Sequence, residues 1–469
     1  ARRRATESGP HPKARCRAAT GGGSFHPRQP PSAVNEKLLE HRPQTRRSAI
    51  RKLLAAVALP ASLAVVHPSA PAQEPPPIRL AVIEGLSGPF ANAGASVLRN
   101  LQFAADRINR RGGVDLAGRM HRFEIVPYDS KGQTEESLAL LRDAANRRIP
   151  FVLQGNSSAV AAALLDAINK HNDREPANRM LFLNYSAVDP ALTNEACSFW
   201  HFRFDAHAGM RMDALIDELA GHRQVRRVYL FNQDYSFGRE FARLARAAIG
   251  QRRPDIEIVG DELVLPGRIK DFLPYAVKVK AAGADTVVTG NWGNDLALMV
   301  RALRDIGADT ALYTFYGNSL GAPGAIGEAG VGRVHSVAEW NPNTDWPAAS
   351  AIHADFRGRL TDPAQDYFNM RHVAMLELLA RAIEAAGTTE AGKVARALEG
   401  RRLDGVPYAA MMRADDHQLL GPLQVSVMAR KDDTLRHDVE ASGYGFRTVR
   451  SIDTVAQPPE HRCRMKRAG

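Results

Sequence analysis

A strand–loop–helix unit at residues 78–113 constrains the fold more than any other feature of this sequence. A β-branched run at 78–83 enters a loop rich in Gly, Ser and Pro, and an amphipathic helical pattern follows from Val97. Open α/β sheets bind ligands in loops at the carboxyl ends of their strands, so this loop is a candidate ligand loop. Further strand-like runs lie at 122–126, 150–153, 180–183, 227–231, 256–265, 285–289, 312–315, 333–337, 423–427 and 443–449. Helical patterns separate most of these runs, which predicts an α/β fold with mostly parallel sheets flanked by helices.

Residues 45–72 have the pattern of a cleaved signal peptide. A basic start is followed at 53–66 by 14 apolar and small residues, and Ala-Pro-Ala at 70–72 offers a cleavage site. The apolar run is shorter than the ~20 residues that a transmembrane helix needs. Arg46 and Arg47 also fit a twin-arginine signal, so both Sec and twin-arginine export stay open.

The basic charge of the chain belongs to its N-terminal part. Residues 1–72 hold 13 Lys and Arg against 3 Asp and Glu, whereas 73–469 hold 49 bases and 48 acids. A nucleic-acid or membrane-surface protein needs a basic patch in its folded part, and this balance does not favour one. Residues 1–44 are rich in Arg, Pro and Gly without periodicity, and we interpret them as disordered or as an over-extended reading frame.

Three cysteines are present, of which Cys16 precedes the predicted signal peptide. Cys197 and Cys463 remain in the exported chain, where an oxidising compartment makes them a candidate disulfide. Two unpaired thiols are the alternative. The 397 residues from 73 onward exceed what one hydrophobic core usually holds, so two lobes are expected.

Eight short motifs follow the predicted elements in a consistent order. They are LSGPF at 86–90, INRRGGV at 108–114, YDS at 128–130, QGNSS at 154–158, DPALT at 189–193, YSFG at 235–238, KDF at 270–272 and GNW at 290–292. In their order and spacing the chain resembles the type I periplasmic solute-binding proteins of ABC importers, in the branch that binds leucine, isoleucine and valine. The resemblance covers about 78–450.

This resemblance implies two α/β lobes joined by three hinge crossings, which close on a ligand between them. The implied parts are lobe 1 at 78–205 and 335–420, lobe 2 at 206–334 and 421–450, a C-terminal tail at 451–469, and crossings near 203–207, 330–338 and 419–424. An ABC permease in the inner membrane is the implied partner, and a monomer without cofactor is expected.

Two loops of the first lobe are predicted to bind a ligand carboxylate. Ser157 and Ser158 open a helix after the strand at 150–153, where free N–H groups and hydroxyl donors favour an anion. A simple helix cap is the alternative for these serines. By the resemblance, Ala187 and Val188 supply backbone contacts to the same carboxylate. Val188 stands where the branch often has threonine, so a hydroxyl contact is missing.

The second lobe contributes aromatic side chains, and one position departs from the family. Tyr235, Phe237 and Trp292 fall on loops that face the implied cleft, although packing within their own lobe is the alternative. Tyr316 stands about where amino-acid binders of the branch carry a glutamate that neutralises the ligand ammonium. Either Asp295 or another acid replaces that glutamate, or the ligand lacks an ammonium.

Rival motifs point to other chemistry. GNSLG at 317–321 matches a serine nucleophile elbow, and the acid and histidines that a catalytic triad needs are available downstream at Asp345, His353 and His372. A periplasmic hydrolase with Ser319 as its nucleophile is therefore the alternative function from a different class. The following segment has many glycines for the packed helix that an elbow requires. Asp415, Asp416 and His417 suggest a metal, but a polar turn is the simpler interpretation.

We therefore predict a non-enzymatic, exported α/β protein that captures a branched-chain amino acid or related small carboxylate for an ABC permease. The alternative with the same fold is a ligand-sensing protein for an amide or an aromatic acid. No nucleic acid, metal or cofactor is expected.

Overall fold

A computed structural model describes residues 74–467. The predicted disordered segment at 1–44 and signal peptide at 45–72 lie outside the described residues. Among the residues described, no helix is both long and apolar enough to cross a membrane. The predicted fold class is confirmed: two mostly parallel sheets are flanked by helices.

The first sheet has the order β4-β1-β5-β6-β7, and all its pairings are parallel. Its strands are β1 Ile78–Glu84, β4 Phe123–Asp129, β5 Phe151–Gln154, β6 Leu181–Asn184 and β7 His201–Arg203, and the short hairpin β2 Val114–Leu116 and β3 Arg119–His121 lies between β1 and β4. The helices of this part of the chain are α1 Ala91–Arg110, α2 Thr134–Asn146 and α3 Ser158–Arg174. The hairpin and β7 were not predicted because three-residue strands carry too little periodic signal.

The second sheet has the order β17-β16-β12-β11-β10-β8-β9, with antiparallel pairing only among β12, β16 and β17. Its strands are β8 Arg227–Gln233, β9 Glu257–Val264, β10 Thr286–Thr289, β11 Ala311–Thr314, β12 Val334–Ala338, β16 Pro422–Arg430 and β17 Tyr444–Asp453. The intervening helices are α4 Ala208–Gly221, α5 Ser236–Arg252, α6 Leu273–Ala281, α7 Asn294–Asp305 and α8 Ala322–Ile326.

The chain returns to the first lobe after β12. The elements of this return are α9 Pro347–Arg357, α10 Met370–Ala386, α11 Ala391–Leu398 and a small sheet of β13 Arg402–Leu403, β14 Ala410–Met412 and β15 Leu419–Leu420. Helix α10 is buried along most of its length because it packs in the first lobe's core.

The chain therefore passes between the two sheets three times: after β7, after β12, and between β15 and β16. Residues 335–338 belong to the second lobe, because β12 pairs with β11 and β16. The predicted lobe division placed them in the first lobe, and this boundary needs correction.

A disulfide joins Cys197 to Cys463, with their Cα atoms 5.7 Å apart. The Arg462 backbone N–H donates to Asn194 Oδ1 at 2.8 Å, and Arg413 donates to the Pro459 carbonyl at 2.6 Å. The C-terminal segment is thereby attached to the first lobe, beyond the last strand of the second.

Candidate functional site

One cavity between the two lobes brings together all eight predicted site residues. They are Ser157, Ser158, Ala187, Val188, Tyr235, Phe237, Trp292 and Tyr316. The segment of the LSGPF motif at 86–90 also lines the cavity, through Pro89 and Phe90. The carboxyl ends of parallel strands meet at one edge of each sheet, so loops that are far apart in sequence converge there.

The loop after β5 is held in place by a buried carboxylate. Oε1 of Glu84 accepts hydrogen bonds from the N–H groups of Gly155 and Asn156, at 2.9 and 3.0 Å, and from the Tyr185 hydroxyl. Burial raises the pKa of Glu84 despite these bonds, which lower it. A Cβ at Gly155 would lie 2.5 Å from the Tyr185 ring, so only glycine allows this close packing. Glu84 therefore fixes the loop that leads to Ser157.

Ser157 and Ser158 occupy different positions at the start of α3. Ser157 is the N-cap, and its Oγ accepts from the Val160 N–H at 3.3 Å, as the helix-cap alternative predicts. Ser158 is buried, and its Oγ accepts from the Asp189 N–H at 3.3 Å. Each hydroxyl in these bonds acts as an acceptor, so its own proton stays available for an anion in the cavity.

Aromatic side chains connect the two lobes. Phe90 of the first lobe stacks on Trp292 of the second, with ring centroids 4.7 Å apart and planes inclined by 26°. The indole Nε1–H of Trp292 donates to the Tyr235 hydroxyl at 2.9 Å. Phe237 is only 1% exposed and contacts Phe241 in its own core, so it both lines the cavity and packs the lobe.

Arg371, which the sequence analysis missed, also lines the cavity. Its Nη1 donates to both carboxylate oxygens of Glu339, at 3.2 and 3.0 Å, and its Nη2 donates to Ser186 Oγ at 3.4 Å. Burial by itself lowers the pKa of Arg371, but the negative charges of Glu339 and Asp205 outweigh the effect of burial, so the pKa is raised above its ordinary value. Arg371 sits in the first turn of α10, and no local motif marks it.

The cavity lining contains this arginine and no carboxylate side chain among the described residues. Tyr316 lines the cavity at the position where the resemblance implies a glutamate. Asp295 does not replace that acid. It is 2% exposed, and its Oδ2 accepts from Gln233 Nε2 at 2.7 Å and from the Gly267 N–H at 2.9 Å.

The hydrolase alternative finds no support in the geometry. Ser319 lines the cavity, but its Oγ has no hydrogen-bond partner within residues 74–467. His353 Nε2 instead faces Asp366 at 3.0 Å, His372 Nδ1 faces a backbone carbonyl at 3.2 Å, and Asp345 is exposed. A serine nucleophile needs a base within hydrogen-bond reach, and none is positioned here in this part of the chain.

Asp416 and His417 in the acidic turn at 415–417 bind other side chains of the protein. Asp416 accepts two hydrogen bonds from Arg413, at 2.8 and 2.5 Å, while His417 Nε2 lies 2.8 Å from Glu399. These side chains face different partners and do not converge on a common point.

Comparisons with known proteins agree with this architecture. A family model described as "Periplasmic binding protein" matches residues 77–433. The chain is 30% identical over 402 residues to Leu/Ile/Val-binding protein homolog 4 of Brucella abortus, covering 84% of this chain and 94% of that protein.

Two solved structures are also similar. A leucine-, isoleucine-, valine-, threonine-, and alanine-binding protein from Brucella ovis, in a closed conformation, has a TM-score of 0.73 and 27% identity, covering 84% of this chain and all of that one. A solute binding protein from R. palustris in complex with 4-hydroxybenzoate has a TM-score of 0.67 at 17% identity, covering 80% and 97%. The match over most of the chain, the two sheets and the cavity between them lead to one conclusion: this chain belongs to the periplasmic binding protein family.

Proposed function

We propose that this protein is the substrate-binding component of an ABC importer. It is exported to the periplasm by a cleaved signal peptide, captures a small solute between its lobes, and delivers it to a permease in the inner membrane as a monomer. The observation that carries this proposal is the interlobe cavity, which both lobes line and which the Phe90–Trp292 stack spans. Closure around a ligand creates a surface that a membrane partner recognises.

The composition of the cavity favours a carboxylate that lacks an ammonium group. Ser158 offers a hydroxyl donor for an anion, and Arg371, although paired with Glu339, is the only cationic side chain in the described lining, which provides no acid for an ammonium group. An ammonium buried without a carboxylate partner costs several kcal/mol. The aromatic rings of Tyr235, Trp292 and Tyr316 suit an aromatic or branched aliphatic body. The complex of the R. palustris protein with 4-hydroxybenzoate shows that a protein of this fold holds such a ligand.

Matched ligand pairs test this ligand class directly. Leucine is compared with 4-methylpentanoate, and phenylalanine with 3-phenylpropanoate, since each pair differs only in the α-ammonium. Benzoate and 4-hydroxybenzoate complete the panel. Thermal unfolding of the purified protein is recorded with each compound, because a ligand at 100 times its Kd stabilises the folded state by about 2.7 kcal/mol.

We expect the carboxylates to raise the melting temperature and the matched amino acids to leave it unchanged. A shift with leucine but not with 4-methylpentanoate would overturn the ligand class while leaving the transport role intact. Ser158→Ala serves as the cavity variant, and it should weaken binding of every active carboxylate. Asp173→Ala, an exposed change near the far end of the same helix, is its control.

A further inference from the structure

A second group of polar side chains lies in the second lobe, away from the cavity. Glu218 is in the last turn of α4 and His222 is the residue that caps its end, so the four-residue spacing places both on one helix face. His335 projects from β12 towards them. One ligand atom of each residue lies within 4.8 Å of the other two.

His335 is buried beside these two polar side chains, and one of its ring nitrogens has no hydrogen-bond partner among the described residues. It is 4% exposed, and its Nδ1 has no hydrogen-bond partner within residues 74–467. The Tyr313 ring stacks on the imidazole at a centroid distance of 4.4 Å, and the His222 ring is 5.0 Å away. A buried polar atom without a partner requires an explanation, and a bound ion is one that the neighbouring Glu218 and His222 support.

The distances suit a tetrahedral metal ion after a small contraction. Ligand atoms about 2.0–2.1 Å from zinc lie roughly 3.3–3.4 Å from one another. His222 Nε2 and Glu218 Oε1 are already 3.2 Å apart. The His335 side chain needs to approach that pair by no more than about 1.5 Å, given the 4.8 Å limit.

We propose that Glu218, His222 and His335 bind a divalent transition-metal cation of the Zn²⁺ type. Two imidazoles and one carboxylate form a common zinc ligand set that leaves a fourth position for water. The amide of Gln224 lies 3.3 Å from His222 Nδ1. With the amide of Gln224 flipped, its oxygen accepts a hydrogen bond from the Nδ1–H of His222. This bond orients the His222 ring so that Nε2 faces the metal. Arg450 Nε, 3.4 Å from Glu218 Oε2, holds the carboxylate's other oxygen.

The site is independent of solute capture. Helix α4 starts beside the cavity, since the Ala208 N–H donates to the Val188 carbonyl at 2.8 Å. The ten residues from there to Glu218 span about 15 Å at 1.5 Å per residue. The metal is therefore expected to stabilise the lobe without touching the ligand, and its test does not rest on the proposed transport role.

The test uses untagged protein, because a histidine tag binds the same metals. After chelator treatment and dialysis, Zn²⁺ is titrated against the protein in competition with a chromophoric chelator. We expect one ion per chain, and at least a tenfold loss of affinity in His222→Ala and in Glu218→Gln. His171→Ala is the control, since the imidazole of this partly buried first-lobe histidine lies 2.8 Å from a backbone carbonyl and is not one of the three proposed ligands.

His335→Gln is the third variant, and circular dichroism checks that it folds. If it does not, the two partly exposed ligands, His222 and Glu218, still decide the question. Absence of stoichiometric binding, or binding that all three variants leave unchanged, would overturn the proposal. Anomalous scattering at the zinc edge from crystals grown with the metal should place the ion between these side chains.

Discussion

The stack of Phe90 on Trp292 should couple lobe closure to ligand affinity. Phe90 ends the short 3₁₀ helix Gly88–Phe90 that precedes α1, and Trp292 follows β10, so the ring contact exists only when the lobes are together. The hydrogen bond from Trp292 to Tyr235 lies within the second lobe and survives opening. The stack is therefore the part of this aromatic cluster that distinguishes the closed state from an open one.

The expected size of the effect follows from the geometry. A stacked pair at this separation contributes about 0.5–1.5 kcal/mol beyond the area it buries. At about 1.4 kcal/mol per tenfold change, that energy corresponds to roughly a 2- to 12-fold change in Kd. Phe90→Ala and Trp292→Ala should each raise Kd by at least this factor. Both substitutions remove the same ring contact, so its loss is counted only once in the double variant. The Kd of the double variant should therefore be lower, by this same factor, than the product of the two single effects predicts.

Isothermal titration calorimetry with the tightest-binding carboxylate of the panel measures the four affinities of this cycle. Trp292→Phe is the matched control: it keeps a smaller aromatic ring for stacking and loses the N–H bond to Tyr235. Its coupling with Phe90 should persist. Effects of Phe90→Ala and Trp292→Ala that simply multiply would show that the rings do not touch in the ligand-bound state, and our account of closure would be wrong.

Two further predictions concern stability. Replacing both Cys197 and Cys463 by Ser should lower the free energy of unfolding by up to about 5–6 kcal/mol, since the bridge spans 266 residues and constrains the unfolded chain; equal urea midpoints for the oxidised wild type and the variant would contradict this. Burial raises the pKa of Glu84 above its ordinary value of 4.5, so its contribution to stability is complete below pH 4.5 and is lost as the pH rises. Glu84→Gln keeps the accepting oxygen but does not titrate. In urea titrations the free energy of unfolding of this variant should therefore rise relative to that of the wild type as the pH is raised above 4.5. A difference between the two proteins that does not vary with pH would refute the assignment.

Local patterns were sufficient to predict most of the longer strands and helices, and the resemblance carried by the motifs indicated most of the cavity lining. Ser158, Val188 and Trp292 are far apart in sequence, yet each lies in a loop that follows a strand of a parallel sheet. Parallel sheets collect such loops at one edge of each sheet, and the resemblance to a two-lobed family implied that the two edges face a common cleft. Their roles as ligand contacts remain predictions that the binding experiments address.

The sequence by itself determined the alternation of strands and helices and the α/β class, because these depend on local periodicity, and the order of its motifs, through their resemblance to a known family, indicated the loops that form the cavity. Only the tertiary structure decided that Arg371 faces the ligand space and that Asp295 is bound to its own lobe. It also decided that His335 lies close to Glu218 and His222. These contacts join elements more than 60 residues apart or depend on which face of a helix is buried. A one-dimensional pattern does not encode that information, since it arises from how whole elements pack against one another.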